Sequence, residues 1–153
     1  GLRSKEASLL DARAALAQAE ARGAVTITDG TKGGREREVP ITSEAQVQAL
    51  ERAAQAQGDA RAVMPADQNW QSWREGGLRD ARELVQEHTS GGLHDLRAAY
   101  ACERYEALTS HAAPCAGGEI TDRDKDAAAR LAVAEELGHG RAEVTAEYVG
   151  GRS

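Results

Sequence analysis

The sequence contains no phenylalanine and only five aromatic residues, two tryptophans and three tyrosines. Leucine, valine and alanine are therefore expected to fill most of the hydrophobic core. Proline is scarce, with three residues. The chain has 41% hydrophobic and 29% charged residues, a composition that is typical of a globular protein and excludes a disordered one. Its 153 residues are enough to bury a core of useful size and predict a single domain.

Cysteine is limited to Cys102 and Cys115, which form no CxxC motif and have no metal-ligand spacing around them. Reduced, incidental thiols in a cytosolic protein are therefore expected. No apolar run reaches about eighteen residues, which argues against a transmembrane helix. The charges inside the apolar pattern of the first ten residues, GLRSKEASLL, argue against a signal peptide.

An excess of basic residues is also lacking, since the net charge is −6 at pH 7. Proteins that bind nucleic acid usually carry a basic surface, so this charge argues weakly against a nucleic-acid partner. Net charge describes the whole surface, however, and a basic patch on one face is compatible with it.

The hydrophobic pattern predicts a mostly α-helical protein with one small antiparallel β-sheet, the α+β class. Helical spacing covers residues 4–22, 43–58, 78–88, 94–108 and 121–138, with a short helical segment at 142–151. Ser43 and Gln46 form the sequence of a capping box. Residues 24–41 alternate like two strands around the TKGGR turn, which predicts a β-hairpin with Lys32 near its tip. Residues 59–76 and 111–119 are predicted to be irregular.

A set of basic and hydroxyl side chains has the chemistry of phosphoryl transfer. Arginine forks match the oxygens of a phosphodiester, and histidines move protons near neutral pH. A lysine protonates a departing oxygen, and a tyrosine attacks phosphorus when cationic neighbours stabilise its phenolate. Each residue alone also has an ordinary structural explanation, as a solvated charge, a helix cap or a core side chain. The candidates are Arg3, Lys32, His94, Arg97, His139 and Tyr148.

The spacing of two of these residues supports the set. His94 and Arg97 stand at positions i and i+3 of HDLR, which places them on one face of a helix. No cluster of carboxylates suggests a metal site, so the charge of the transition state would be stabilised by the cationic side chains.

Four segments, in chain order, resemble the sequence boxes of the tyrosine recombinases, the family that includes phage integrases. GLRSKEASLL (1–10) is similar to the first-arginine box, and TKGGREREVPI (31–41) resembles the hairpin that carries the catalytic lysine. HDLRAAYA (94–101) resembles the HxxR box, and LGHGRAEVTAEYVG (137–150) resembles the box that contains the nucleophilic tyrosine. HxxR alone carries no information, but the ordered set spans nearly the whole chain.

The resemblance implies a role for each matched cation. Arg3 and Arg97 would clamp the phosphate, and Lys32 would be the general acid that protonates the 5′-oxygen leaving group. Glu6 matches the acidic residue beside the first arginine and would orient its neighbours.

The same resemblance implies roles for the histidines and the tyrosine. His94 would assist proton transfer from the tyrosine, and His139 would donate a hydrogen bond to the phosphate. Tyr148 would be the nucleophile that forms a 3′-phosphotyrosyl link. The implied reaction cleaves and rejoins DNA without ATP, metal or cofactor, because the ester to tyrosine retains the energy of the phosphodiester bond.

The resemblance further implies a domain organisation, a DNA partner, a cellular location and a biological task. Residues 1–153 correspond to the family's catalytic domain, and the N-terminal core-binding domain is expected to be absent from this chain. The expected partner is double-stranded DNA, bound by a homotetramer, with a monomer for the isolated domain and no membrane association. The expected location is the bacterial cytoplasm or nucleoid, and the expected task is the integration or excision of a mobile element or prophage.

Three alternatives remain open at the level of sequence. A type IB topoisomerase would use the same chemistry to relax supercoils without site preference. A catalytically silent module would bind DNA with the same fold, and a helical domain unrelated to DNA would make the four boxes a coincidence.

Overall fold

The structure is a computed structural model in which residues 1–152 are described. The chain divides into two compact units. The N-terminal unit is Arg3–Gly92, and the C-terminal unit comprises Gly1–Leu2 and the chain from Leu93 onward. Both units consist mainly of helices, and a two-stranded antiparallel sheet lies in the N-terminal unit, which confirms the predicted α+β class. Within residues 1–152, no helix is long and apolar enough to cross a membrane.

The N-terminal unit begins with two helices where the sequence predicts one over residues 4–22. Helix α1 is Ser4–Leu9 and helix α2 is Ala12–Arg22. The break has a local cause, because Asp11 accepts a hydrogen bond from Ala14 N at 3.3 Å and starts a new helix. Ala12 N donates to Gln57 Oε1 at 2.6 Å, so a side chain from far along the chain also satisfies the new helix start.

The predicted β-hairpin is confirmed. Strand β1 is Ala24–Ile27 and strand β2 is Arg37–Pro40, with Ala24 opposite Pro40 and Ile27 opposite Arg37. A 3₁₀ turn at Lys32–Gly34 lies in their connection, which places Lys32 near the tip as predicted.

Three further helices complete the N-terminal unit: α3 (Glu44–Gln57), α4 (Trp70–Glu75) and α5 (Gly77–His88). The capping box of Ser43 and Gln46 is formed as predicted. The prediction that residues 59–76 are irregular is wrong at α4. There, Asn69 and Ser72 cap the helix start reciprocally, and Trp73 Nε1 donates to Ser8 Oγ at 2.9 Å.

The C-terminal unit contains α6 (Leu93–Thr109), α7 (Arg123–Leu137) and the short α8 (Ala146–Val149). Short 3₁₀ turns lie at Pro114–Ala116, within the segment predicted to be a loop, and at Ala142–Thr145. The core of this unit is built largely from alanine and valine, as expected for a chain without phenylalanine. Its members are Ala101, Tyr105, Ala113, Ala129, Val133, Leu137, Tyr148 and Val149.

A buried polar network crosses this core. Asp126 accepts hydrogen bonds from Tyr105 Oη at 2.6 Å, Arg130 Nε at 2.8 Å and Arg152 Nε at 2.9 Å. Burial acts to raise the pKa of Asp126, but the hydrogen bonds from Tyr105 and Arg130 outweigh it and hold that pKa below its usual value. Arg130 Nη1 also donates to Gly150 O at 2.9 Å, so the network holds the chain just beyond Tyr148.

Candidate active site

Arg97 is the centre of the side-chain cluster in the C-terminal unit. It lies on α6 one turn after His94, and only 3% of its surface is exposed. Its Nη1 donates to Gly1 O at 2.7 Å and its Nη2 donates to Leu137 O. These two carbonyls hold the guanidinium in place, so its orientation does not depend on a ligand.

His139 reaches Arg97 because α7 ends two residues before it. Gly138 adopts φ = 80°, a left-handed conformation that favours glycine, and His139 N donates to Ala134 O at 2.8 Å. This cap turns the chain so that His139 Nε2 lies 3.3 Å from Arg97 Nη2. A guanidinium has no acceptor, so Nε2 is the acceptor in this hydrogen bond.

Tyr148 lies among Arg97 and both histidines. Arg97 Nε donates to Tyr148 Oη at 3.5 Å, and the guanidinium carbon lies 5.9 Å from the tyrosine ring centroid. The ring centroid of Tyr148 is 5.8 Å from that of His94 and 5.7 Å from that of His139. Four of the six predicted residues therefore come together around one phenol.

The position of Tyr148 is set by the packing of its neighbours. Thr145 and Val149 are completely buried, and Thr145 Oγ1 donates to Arg130 O at 3.0 Å. Tyr148 itself is 9% exposed, and its hydroxyl contacts the buried Arg97 guanidinium.

Arg3 and Glu6 are paired at the start of α1 in the N-terminal unit. Arg3 N donates to Glu6 Oε1 at 2.7 Å, and Arg3 Nη1 lies 3.5 Å from Glu6 Oε2. Glu6 is buried, whereas a quarter of the Arg3 side chain is exposed. Glu6 thus contacts both the backbone and the side chain of Arg3, and its role as an orienting residue stays a prediction.

Arg37 is a member of this arrangement that sequence reasoning missed. Its guanidinium forms a fork on Glu6, with Nη2 donating to Oε1 at 2.8 Å and Nη1 donating to Oε2. Burial acts to raise the pKa of Glu6, but hydrogen bonds from Arg37 and from the backbone of Arg3 outweigh it and hold that pKa below its usual value. The signal in the sequence was strand alternation, because Arg37 shares the inward face of β2 with Val39.

Lys32 is exposed on the hairpin connection. The loop between β1 and β2 packs closely against α1 at Gly30, where an added Cβ would meet the backbone of Lys5 at 3.1 Å. Gly30 also has φ = 76°, so a side chain is disfavoured at this position for two reasons. The Glu6–Arg37 pair and this close approach together attach the hairpin that carries Lys32 to the helix that follows Arg3.

The six candidates thus fall into two groups. His94, Arg97, His139 and Tyr148 are in contact within the C-terminal unit, and Arg3 and Lys32 belong to the N-terminal unit. The membership of Arg3 and Lys32 in one site with the other four stays a prediction.

Comparison with known proteins identifies a family. A family model described as integrase matches residues 1–103, which include Arg3, Glu6, Lys32, His94 and Arg97. The segment with His139 and Tyr148 lies beyond the matched residues. No curated protein and no solved structure matches the chain. Because the match covers 103 of 153 residues, the chain belongs to the integrase family, whose general role is DNA recombination.

Proposed function

We propose that this chain is the catalytic domain of a tyrosine-type DNA recombinase, which cleaves and rejoins duplex DNA through a 3′-phosphotyrosyl intermediate. The observation that carries the proposal is the position of Tyr148, whose hydroxyl accepts from Arg97 Nε at 3.5 Å and whose ring centroid lies 5.8 Å from that of His94 and 5.7 Å from that of His139. A phenol beside a buried guanidinium and two imidazoles is suited to become a nucleophile, because the guanidinium stabilises its phenolate and an imidazole can take its proton.

In the cleavage step, one bond to phosphorus forms and one breaks. The oxygen of Tyr148 forms a bond to phosphorus, and its proton passes to His94. The bond from phosphorus to the 5′-oxygen breaks, and Lys32 donates a proton to that oxygen. Rejoining reverses these events with a 5′-hydroxyl as nucleophile, so the number of phosphate ester bonds is unchanged and no ATP is consumed.

The other side chains bind the phosphate during both steps. Arg97 and Arg3 donate to its nonbridging oxygens, and His139 donates from its ring. Arg97 already uses four of its five N–H groups, on two backbone carbonyls, His139 and Tyr148. The remaining N–H, on Nη1, can donate to one phosphate oxygen, and an oxygen that also takes the Nε N–H displaces the Tyr148 hydroxyl from the guanidinium.

The proposal includes Arg3 and Lys32 because the segments that carry them, residues 1–10 and 31–41, resemble the recombinase boxes and because both side chains are cationic. Lys32 is tied to the same helix start as Arg3 through the Arg37–Glu6 pair. In full recombination, four protomers would bind two duplexes in the bacterial nucleoid to integrate or excise a mobile element.

Covalent trapping tests the proposal. The substrate is a pool of 5′-labelled, nicked duplexes with a randomised central sequence, in which cleavage near the nick releases a short fragment and prevents rejoining. Wild-type protein is expected to form a labelled species that survives denaturing electrophoresis and is released by protease. Sequencing of the trapped DNA then identifies the target.

Two phenylalanine variants make the trapping experiment decisive. Tyr148→Phe is expected to form no adduct, whereas Tyr100→Phe, which removes a hydroxyl bonded to Glu136 on the same unit, is expected to retain it. An adduct of equal yield in Tyr148→Phe would disprove the assignment of the nucleophile.

A further inference from the structure

The two cysteines lie side by side in the C-terminal unit although thirteen positions separate them in the chain. Cys102 is on α6 and Cys115 is in the 3₁₀ turn Pro114–Ala116. Their sulfur atoms are 3.4 Å apart, and both are free thiols. Cys115 is exposed and Cys102 is half-buried, so one thiol of the pair is open to reagents from solvent.

Both thiols contact the backbone of Tyr148. The carbonyl oxygen of Tyr148 lies 3.4 Å from Cys102 Sγ and 3.5 Å from Cys115 Sγ, and each thiol can donate to it. The chain after the tyrosine is also packed on the Cys115 turn, because a Cβ added at Gly150 would meet Cys115 N at 2.7 Å. A change in the cysteine pair is therefore transmitted to the segment that carries Tyr148.

We propose that Cys102 and Cys115 are a reversible redox site that forms an intramolecular disulfide by exchange with a small-molecule disulfide of the glutathione type. The thiolate of Cys115 attacks the small disulfide, forms a mixed disulfide and releases one small thiol. The thiolate of Cys102 then attacks Cys115 Sγ and releases the second small thiol. Two protein thiols are oxidised and one small disulfide is reduced to two thiols, so electrons and protons balance.

The environments of the two cysteines fit this order of events. Burial, together with the neighbouring Cys115 thiol, raises the pKa of Cys102 to about 11, which makes Cys102 a poor first nucleophile. Exposed Cys115 is the thiol that meets the reagent. Cys102 already lies beside it, so the second step is intramolecular and proximity compensates for its small thiolate fraction.

Disulfide formation would change the surroundings of Tyr148. A disulfide bond is about 2.05 Å long, so the sulfur atoms must approach from 3.4 Å, and the exposed turn is the part that moves. Both S–H donors to the Tyr148 carbonyl are lost at the same time. This consequence rests on the proposed function, and it predicts that the oxidised protein forms the phosphotyrosyl adduct more slowly.

Mass spectrometry of the intact protein tests the disulfide without reference to DNA. After incubation with oxidised glutathione, wild type is expected to lose two hydrogen atoms, and non-reduced peptide mapping is expected to join the Cys102 and Cys115 peptides. The cross-link is expected to raise Tm by roughly 5 to 10 °C, an effect that dithiothreitol reverses. Cys102→Ser is expected to stop at a glutathione adduct on Cys115. A wild type that also stops at this adduct would overturn the proposal.

The trapping experiment tests the link to Tyr148. Oxidised wild type is expected to form adduct at least about tenfold more slowly than reduced protein, whereas Cys115→Ser is expected to be insensitive to the oxidant. Equal rates in oxidised and reduced wild type would overturn the regulatory link. Absence of adduct in both redox states would count against the proposed function, while the disulfide would still stand or fall by mass spectrometry.

Discussion

Arg97 Nε donates a hydrogen bond to the hydroxyl of Tyr148 at 3.5 Å. In the proposed reaction a phosphate oxygen takes the same N–H, so DNA and the tyrosine hydroxyl compete for one donor. On this proposal, DNA binding would displace the Tyr148 hydroxyl from Arg97 Nε.

This competition predicts the effect of Tyr148→Phe on binding. The variant cannot form the adduct, but it leaves Arg97 Nε open to a phosphate oxygen. Its non-covalent affinity for duplex DNA is expected to equal that of wild type or to exceed it by up to about fivefold, since a net hydrogen bond is worth about 1 kcal/mol. Fluorescence anisotropy at one fixed salt concentration measures it. A loss of affinity greater than about tenfold would contradict the competition.

Arg97→Lys is predicted to abolish most of the activity although it preserves the charge. A lysine ammonium cannot satisfy Gly1 O, Leu137 O and the His139 ring with the planar fork of arginine. The rate of adduct formation is expected to fall by about 10²–10³-fold.

Arg104→Lys is the matched control, because Arg104 is also on α6 and binds Glu136 through its Nε at 3.0 Å. Its rate of adduct formation is expected to change less than about threefold. Similar losses of activity in the two variants would mean that a general disturbance of α6 is the cause.

The buried pair of Glu6 and Arg37 is predicted to be strongly coupled. Glu6→Gln or Arg37→Met each breaks the buried Glu6–Arg37 pair, which costs about 3–5 kcal/mol of the free energy of unfolding. The double variant is expected to lose less than the sum of the two single losses, as measured by urea denaturation in a double-mutant cycle. Additive losses would show that the pair does not act as a unit.

The Glu6 carboxylate also makes stability depend on pH. Its pKa in the folded protein is below the ordinary value of 4.5. The contribution of the ionised carboxylate to the free energy of unfolding is therefore present above pH 4.5 and is lost as the pH falls through the lowered pKa. Glu6→Gln is expected to remove this part of the acid dependence.

The raised pKa of Tyr105 predicts a loss of stability at alkaline pH. Burial and the hydrogen bond to Asp126 raise the pKa of Tyr105 from 10.0 to about 12. Because the pKa is raised on folding, the protonated Tyr105 hydroxyl contributes fully to the free energy of unfolding below pH 10. This contribution, about 2–3 kcal/mol, is lost as the pH rises through 12. Urea denaturation between pH 9 and pH 12 measures this loss.

Tyr105→Phe is expected to show a shallower alkaline slope than wild type. The comparison is needed because burial also raises the pKa of Cys102 to about 11, and its thiol titrates in the same range. Identical slopes in wild type and Tyr105→Phe would rule out Tyr105 as the source.

Local sequence patterns were enough to predict most of the elements. The hairpin at residues 24–41, the capping box at Ser43 and the helix end at Gly138 depend on neighbours within a few positions. The errors arose where a side chain from outside the segment contributes. Gln57 supports the helix start after Asp11, and Ser8 binds Trp73 in the segment predicted to be irregular.

The sequence by itself determined which chemical groups are present, their order along the chain and the elements that carry them. It also placed His94 and Arg97 on one helix face, because helical spacing is a local property. Only the tertiary structure decided that Arg97, His139 and Tyr148 are in contact, that Arg37 binds Glu6 and that the two thiols meet. Contacts between residues thirteen to fifty-one positions apart depend on how whole helices and turns pack, which no short sequence window contains.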